Sequence, residues 1–193
     1  MLDSLSTLPS WSLVLAAGSG VTLWSCIEYL LHRFLGHDRR TWPNAFATEH
    51  TRHHAEGDYF APTWKKALGA LVAVPVVSVT AAFAVRTSLG VVFGASFVSM
   101  YVLYEWVHRR AHTHRGLGTY GRYLRRHHFH HHFGNPRANH GVTSPVWDVV
   151  FGTFEVPGRI RVPEKLRMRW LVDPRTGDVF SDLAPFYELR RMA

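Results

Sequence analysis

The sequence predicts an all-α fold: an integral membrane helical bundle of about three spans, with a further interfacial or re-entrant helix allowed, and a histidine-rich cap on the cytoplasmic side. Three observations predict it. Long stretches carry no charge, nearly all basic residues fall where one membrane face would be, and every histidine gathers on that face. The chain averages conceal this: 193 residues, 47% hydrophobic and 19% charged, with a mean hydropathy of -0.07, resemble an ordinary soluble domain. That composition excludes a disordered polyelectrolyte and a low-complexity chain. Cys26 is the single cysteine, which excludes an intrachain disulfide and a cysteine-based metal site. Any metal site must be built from imidazole and carboxylate.

The elements follow in order. Residues 4–27, 67–85 and 87–104 contain no Asp, Glu, Lys or Arg. A helix of about 19 residues rises roughly 28 Å, close to the hydrocarbon thickness of a bilayer. The first helix is expected over about 10–35. It lacks the basic start of a signal peptide, and Glu28, Tyr29 and His32 stand where small residues would mark cleavage, so it reads as a span. Helical structure is expected around 44–55. Two spans, about 64–86 and 88–115, form a hairpin around a turn at Arg86–Gly90, and membrane helices tolerate a residue such as Pro75. A helix over about 119–133 and a loop through Asn135 and Pro136 come next. The organisation is a membrane-embedded domain over 1–155 and a cytoplasmic tail over 156–193 packed on the cap.

The charge sets the orientation. The formal net charge is +8. Of 22 Lys and Arg residues, Arg86 lies between the second and third spans and the other 21 fall in 33–66 or 109–191. An outside N-terminus then puts those 21, the histidine clusters and the C-terminus in the cytoplasm, in a bacterial inner membrane or an ER-like membrane. Topology and anionic headgroups account for the charge. No nucleic-acid motif is present, so no nucleic-acid partner is expected. The oligomeric state stays open.

All 14 histidines lie between His32 and His140. Thirteen form four clusters: His32 and His37; His50, His53 and His54; His108, His112 and His114; and the five histidines of the run from His127 to His132, while His140 stands alone. His50, His53 and His54 stand at i, i+3 and i+4, and His128, His131 and His132 repeat that spacing, which a helix stacks on one side. His108 and His112 stand at i, i+4. His32 and His37 are five apart, which suits a helix end or a bend. His114 and His130 fall off the pattern. Neutral imidazole binds Zn, Cu, Fe and Ni, and one ion takes about four to six ligands. Ten such histidines are too many for one ion and fit a di-metal site in the cap. A solvated metal-scavenging tract, or histidines on headgroups, is the simpler alternative; four clusters with repeated helical spacing argue against it.

Carboxylates stand near the clusters. Glu28 is one turn before His32 and Glu105 three residues before His108, where each would orient a ligand. Glu105 near the end of an apolar span is costly unless paired, so it is a functional candidate. Tyr101, Glu105, His108 and His112 make a polar stripe along the third span.

These motifs resemble the fatty acid hydroxylase superfamily, the integral-membrane di-iron enzymes that include sterol desaturases and fatty acid 2-hydroxylases. The residues are HRFLGH, HTRHH, YEWVHRRAH and HHFHHH, followed by GVTSPVWDVVFGTF. The last stretch favours this superfamily over carotenoid hydroxylases. The resemblance covers about 28–155 and implies metal ligation by His32, His37, His50, His53, His54, His108, His112, His128, His131 and His132. It makes His127 an outer residue and Trp147 and Asp148 structural, with Asp148 orienting a histidine. Asn139-His140-Gly141 resembles an Asn-aromatic-Gly element, with His140 in the aromatic place lining the site or ligating. Glu105, Tyr101 and His140 are the candidate catalytic residues, near the metals or along the substrate channel.

The implied cofactors are two iron ions, which zinc can replace in purified protein, with O2 as co-substrate. The implied reaction hydroxylates or desaturates an unactivated C–H bond of a membrane lipid, fatty acyl or sterol-like substrate. No haem-binding domain is evident, so electrons are expected from a separate ferredoxin, cytochrome or reductase. Hydrolysis explains the site poorly, because zinc hydrolases usually offer three protein ligands per zinc and a general base. The alternatives are a carotenoid hydroxylase-type enzyme and a non-catalytic metal-binding membrane protein.

Overall fold

The computed structural model describes residues 8–68 and 87–190. Helix α1 spans Ser10–Leu30, and Leu31–His37 continue it with π-helical hydrogen bonding. Helix α2 spans Ala45–Glu56. Its start is fixed by the Asn44 side chain, which accepts from the Ala47 amide at 2.8 Å, the usual service of an N-cap. It ends at Gly57, whose φ of +72° favours glycine. Helix α3 spans Thr87–Thr113, α4 Gly118–Phe133 and the short α5 Val146–Val150. The helices expected over about 10–35, 44–55, 88–115 and 119–133 are all present. Ser10–His37 and Thr87–Thr113, of 28 and 27 residues, are long and apolar enough to cross a membrane. The predicted span over about 64–86 lies outside the described residues beyond Leu68, and the expected turn at Arg86–Gly90 is described only from Thr87.

The predicted all-α class needs one correction, because the chain is mostly helical. Strands β1 (Ile160–Pro163) and β2 (Tyr187–Arg190) pair in parallel, with Ile160 opposite Tyr187. Short apolar runs do not distinguish strand from buried coil by periodicity. What organises these is burial: Ile160, Val162, Leu171 and Tyr187 pack with Phe129 of α4 in one apolar core.

The chain divides into two compact units. The first comprises 1–27 and 61–104. There α1 and α3 meet closely at Gly20, where a Cβ would collide with the Phe93 carbonyl and Ser96. Small residues permit such close approach of helices. Trp24 packs edge-on against Phe97 and Tyr101, with ring centroids 5.4 and 4.9 Å apart. The second unit comprises 28–60 and 105–193. It holds every histidine, and Ile160, Val162, Leu171 and Tyr187 pack there with Phe129.

Candidate metal centre

Helical geometry sorts the histidines. Residues three and four apart on an α-helix diverge from the first by about 60° and 40° in opposite senses, so i+3 and i+4 face about 100° apart. Two ion-sized groups result. The first is His32, His37, His50, His54 and His131; the second is His53, His108, His112, His128 and His132. Helix α2 gives its i, i+4 pair, His50 and His54, to the first group and His53 to the second. Helix α4 does the reverse, giving His128 and His132 to the second and His131 to the first. The π-helical turns at Leu31–His37 bring His32 and His37 into one group. Hydrogen bonds from i to i+5 widen the turn, so residues five apart approach one side, a conformation frequent at functional sites.

Each group has the dimensions of one coordination sphere. A metal–imidazole bond of about 2.1 Å puts opposite ligands about 4.2 Å apart. The ligand nitrogens in each group all lie within 4.8 Å of one another.

The tautomers point the same way. His32, His53 and His131 each donate Nδ1–H to a backbone carbonyl: those of His140, Tyr59 at 2.6 Å and Ala138 at 2.8 Å. A carbonyl only accepts, so these rings keep Nε2 as a lone pair. Those lone pairs meet other Nε2 atoms: His32 meets His50 at 3.1 Å, and His131 meets His37 at 2.8 Å. His50 Nε2 also faces His37 at 2.8 Å and His54 at 3.0 Å. One Nε2 has at most one proton to share among three neighbours. In the second group, His108 meets His53 and His112 meets His128, both at 3.0 Å. Both ring nitrogens of His132 are buried without a hydrogen-bond partner. Converging lone pairs and orphaned buried nitrogens are costly without a cation, so the donor set fits two metal ions.

Electrostatics keeps the rings ready to ligate. Burial first, and neighbouring imidazoles second, hold His50, His128, His131 and His132 well below the ordinary 6.5. Burial lowers His54 to about 2. Metal ligation needs neutral imidazole, and these rings stay neutral across the physiological range. Phe60 packs on His53, His108 and His112 with centroids 5.3 to 5.7 Å away, and the Arg109 guanidinium lies over the Phe60 ring, 4.5 Å from its centroid. Trp170 donates to the His112 carbonyl at 2.9 Å.

The other sequence candidates fall outside the two groups. His140 is 2% exposed and packs on His131, His32 and His37, with centroids 5.1 to 5.6 Å apart. Burial lowers its imidazole to about 4. Tyr101 packs on Trp24 in the first unit, and Glu105 is half-buried on α3. His114 pairs with Thr113 and His130 with Glu155.

Glu28 corrects an expectation. It does not orient His32; its carboxylate accepts from the Val142 and Thr143 amides and, at 2.6 Å, from the Thr143 hydroxyl. His32 Nδ1 already donates its proton to the His140 carbonyl, which leaves that N–H none for Glu28. Asp148 accepts from His127 Nε2 at 3.0 Å, an outer histidine oriented by a buried carboxylate. Burial alone would raise Asp148; hydrogen bonds from His127, Gly141 and Thr153 outweigh it and hold the carboxyl below its ordinary value. The carbonyls that orient His32, His53 and His131 were invisible in the sequence, because backbone groups leave no residue-type signal.

Comparison with known proteins agrees. The family model described as fatty acid hydroxylase matches residues 18–153. The dihydroceramide fatty acyl 2-hydroxylase FAH1 of Arabidopsis thaliana is 29% identical over 139 residues, 70% of this chain and 58% of that protein. Its FAH2 counterpart is 31% identical over 156 residues, 77% of this chain and 63% of that protein. The ceramide very long chain fatty acid hydroxylase SCS7 of Saccharomyces cerevisiae is 35% identical over 150 residues, 72% of this chain and 37% of that protein. The chain thus spans less than two thirds of each relative's length. A solved structure of full-length scs7p, with only its hydroxylase domain visible, is similar at a TM-score of 0.61 and 28% identity, over 79% of this chain and 60% of that one. With its histidine spacing, its paired five-imidazole groups and a family match over most of its length, this chain belongs to the fatty acid hydroxylase family.

Proposed function

We propose that the chain is an O2-dependent membrane oxygenase that hydroxylates an unactivated C–H bond in the acyl chain of a lipid, with two iron ions held by the two groups of five histidines. The observation that carries this reading is the convergence of lone-pair nitrogens in each group. Iron supplies O2 activation when bound; the protein supplies placement and exclusion of water. The relatives' names, which describe fatty acyl 2-hydroxylases, favour hydroxylation over desaturation.

The residues' own work can be derived. The fixed Nδ1–H tautomers of His32, His53 and His131 aim Nε2 inward. Burial keeps the imidazoles neutral. Phe60 walls the second group with an apolar ring. Tyr101 and Glu105, which continue the His108–His112 stripe along α3, are our candidates for residues along the lipid's approach, and His140 for lining the first group. Electrons come from a separate ferredoxin, cytochrome or reductase.

The same reading puts the basic residues and both groups on the cytoplasmic side. Helix α5 is then the interfacial element: Val146, Val149, Val150 and Phe151 are all exposed. Phe151 stacks on Tyr29, in the last turn of α1, with centroids 5.2 Å apart, which sets this apolar face beside the end of a membrane helix.

The test is aerobic turnover of a ceramide or fatty acyl lipid by purified, iron-loaded protein with a reductant. A hydroxylated product supports the reading. No product, with metal lost but lipids unchanged in cells carrying His131→Ala, would leave a metal-binding protein without catalysis.

A further inference from the structure

Among the described residues, one loop, residues 138–143, contacts the first group of histidines. Its Ala138 carbonyl accepts from His131 Nδ1 at 2.8 Å, and its His140 carbonyl accepts from His32 Nδ1. Both rings belong to the first group.

Asp148 grips that loop. The residue is fully buried. Oδ1 accepts from the His140 amide at 2.7 Å and the Thr153 hydroxyl at 2.8 Å. Oδ2 accepts from the Gly141 amide at 2.9 Å and His127 Nε2 at 3.0 Å. The fit is tight, since a Cβ at Gly141 would collide with the Ser144 carbonyl and come within 3.0 Å of Asp148 Oδ2. Glu28 holds the next two amides, Val142 and Thr143, from α1. The orienting carbonyls therefore sit on a strap held by two buried carboxylates. The second group draws its orienting contacts elsewhere, from the Tyr59 carbonyl onto His53 and from Trp170 onto the His112 carbonyl.

We propose that Asp148 is a positioning residue for one metal of the two: through the 138–143 strap it sets the His32 and His131 rings of the first group and leaves the second group unaffected. The inference rests on the two-metal reading above. Outer hydrogen bonds to metal-bound histidines fix ring orientation and typically govern 10- to 100-fold in metal affinity. An amide in place of the carboxylate turns one of its two acceptor ends into a donor, which opposes either the His140 amide and Thr153 or the Gly141 amide and His127.

The experiment is Co(II) titration of full-length protein in detergent against a competing chelator, followed by the visible bands of the bound ion. His131→Ala and His128→Ala identify which binding step belongs to which group. Wild-type protein should show two steps. In Asp148→Asn the step that His131→Ala removes should weaken 10- to 100-fold with a shifted band, and the other should keep its affinity and spectrum. Glu28→Ala, which releases the Val142 and Thr143 amides of the same strap, should weaken the same step, and it decides the matter if Asp148→Asn does not fold. Equal weakening of both steps, or two unchanged steps in both variants, overturns the assignment. Fewer than two steps in wild-type protein overturns the two-metal reading itself.

Discussion

His54 and His132 lie face to face, their ring centroids 4.0 Å apart and their planes 9° from parallel, although they belong to different groups of five. The two groups therefore share a wall one imidazole pair thick. Because α2 and α4 each serve both groups, neither group can form without the other's helix in place. The paired arrangement is a property of two helices packed against each other, with the π-helical turns after α1 and helix α3 adding two histidines apiece.

Removing one side of this wall should cost metal. His132→Ala is expected to lower bound metal from two ions per chain to one or fewer. Lipid product should fall at least about a hundredfold, the upper end of what losing an outer partner alone costs. His130→Ala, whose ring pairs with Glu155 outside both groups, should keep both ions. Metal analysis of the two purified variants checks this, and equal metal content in both would contradict the grouping.

Acid should destabilise the metal-free protein. Burial, reinforced by neighbouring imidazoles, holds His50, His128, His131 and His132 below 6.5, and His54 at about 2. The unfolded chain takes up protons near 6.5 that the folded chain refuses. Stability is therefore full above about pH 6.5 and is lost as pH falls below it toward the folded values, by about 1.4 kcal/mol per pH unit for each such histidine. Denaturation of chelator-treated protein from pH 8 to pH 5 measures this, and a flat profile would refute it.

The parts of this site written in side-chain spacing were legible in the sequence, and the parts written in backbone were not. The ten histidines stood out because the i, i+3, i+4 pattern recurs in HTRHH and HFHHH. Their division between groups did not, because spacing fixes a direction on a helix and not which neighbour lies there: His53 and His54 are adjacent in sequence yet part company. The five-residue step from His32 to His37 suits a helix end or a bend by spacing, and a π-helical turn is what the chain adopts there. Proximity in sequence points Glu28 at His32, whereas tertiary contact gives it to the Val142 and Thr143 amides. The paired strands of the tail escaped notice because their runs are only four residues long.

Metal should also support the fold. A ligand at a hundred times its Kd stabilises the folded state by about 2.7 kcal/mol per site, so two sites add roughly 5 kcal/mol. For a chain of this length each kcal/mol moves Tm by about 2–4 °C. Chelation should then lower Tm by roughly 10–20 °C and restoring iron should reverse it, followed by thermal unfolding in detergent. An unchanged Tm after verified metal loss would show that the histidine groups are preformed without the ions.

The orientation of α3 can be tested at its two ends. Its 27 residues rise about 40 Å, more than the roughly 30 Å of a hydrocarbon core. Basic residues crowd its C-terminal end, from Arg109 onward, so the orientation proposed above, by the positive-inside bias, expects that end in the cytoplasm. Thr87 and Thr119 are both exposed and stand before and after the crossing. With Cys26→Ser removing the native thiol, Thr87→Cys should react with a membrane-impermeant maleimide in intact cells. Thr119→Cys should react only after permeabilisation. The opposite pattern would move every histidine to the outer face, and equal labelling of both positions in intact cells would mean that α3 does not cross.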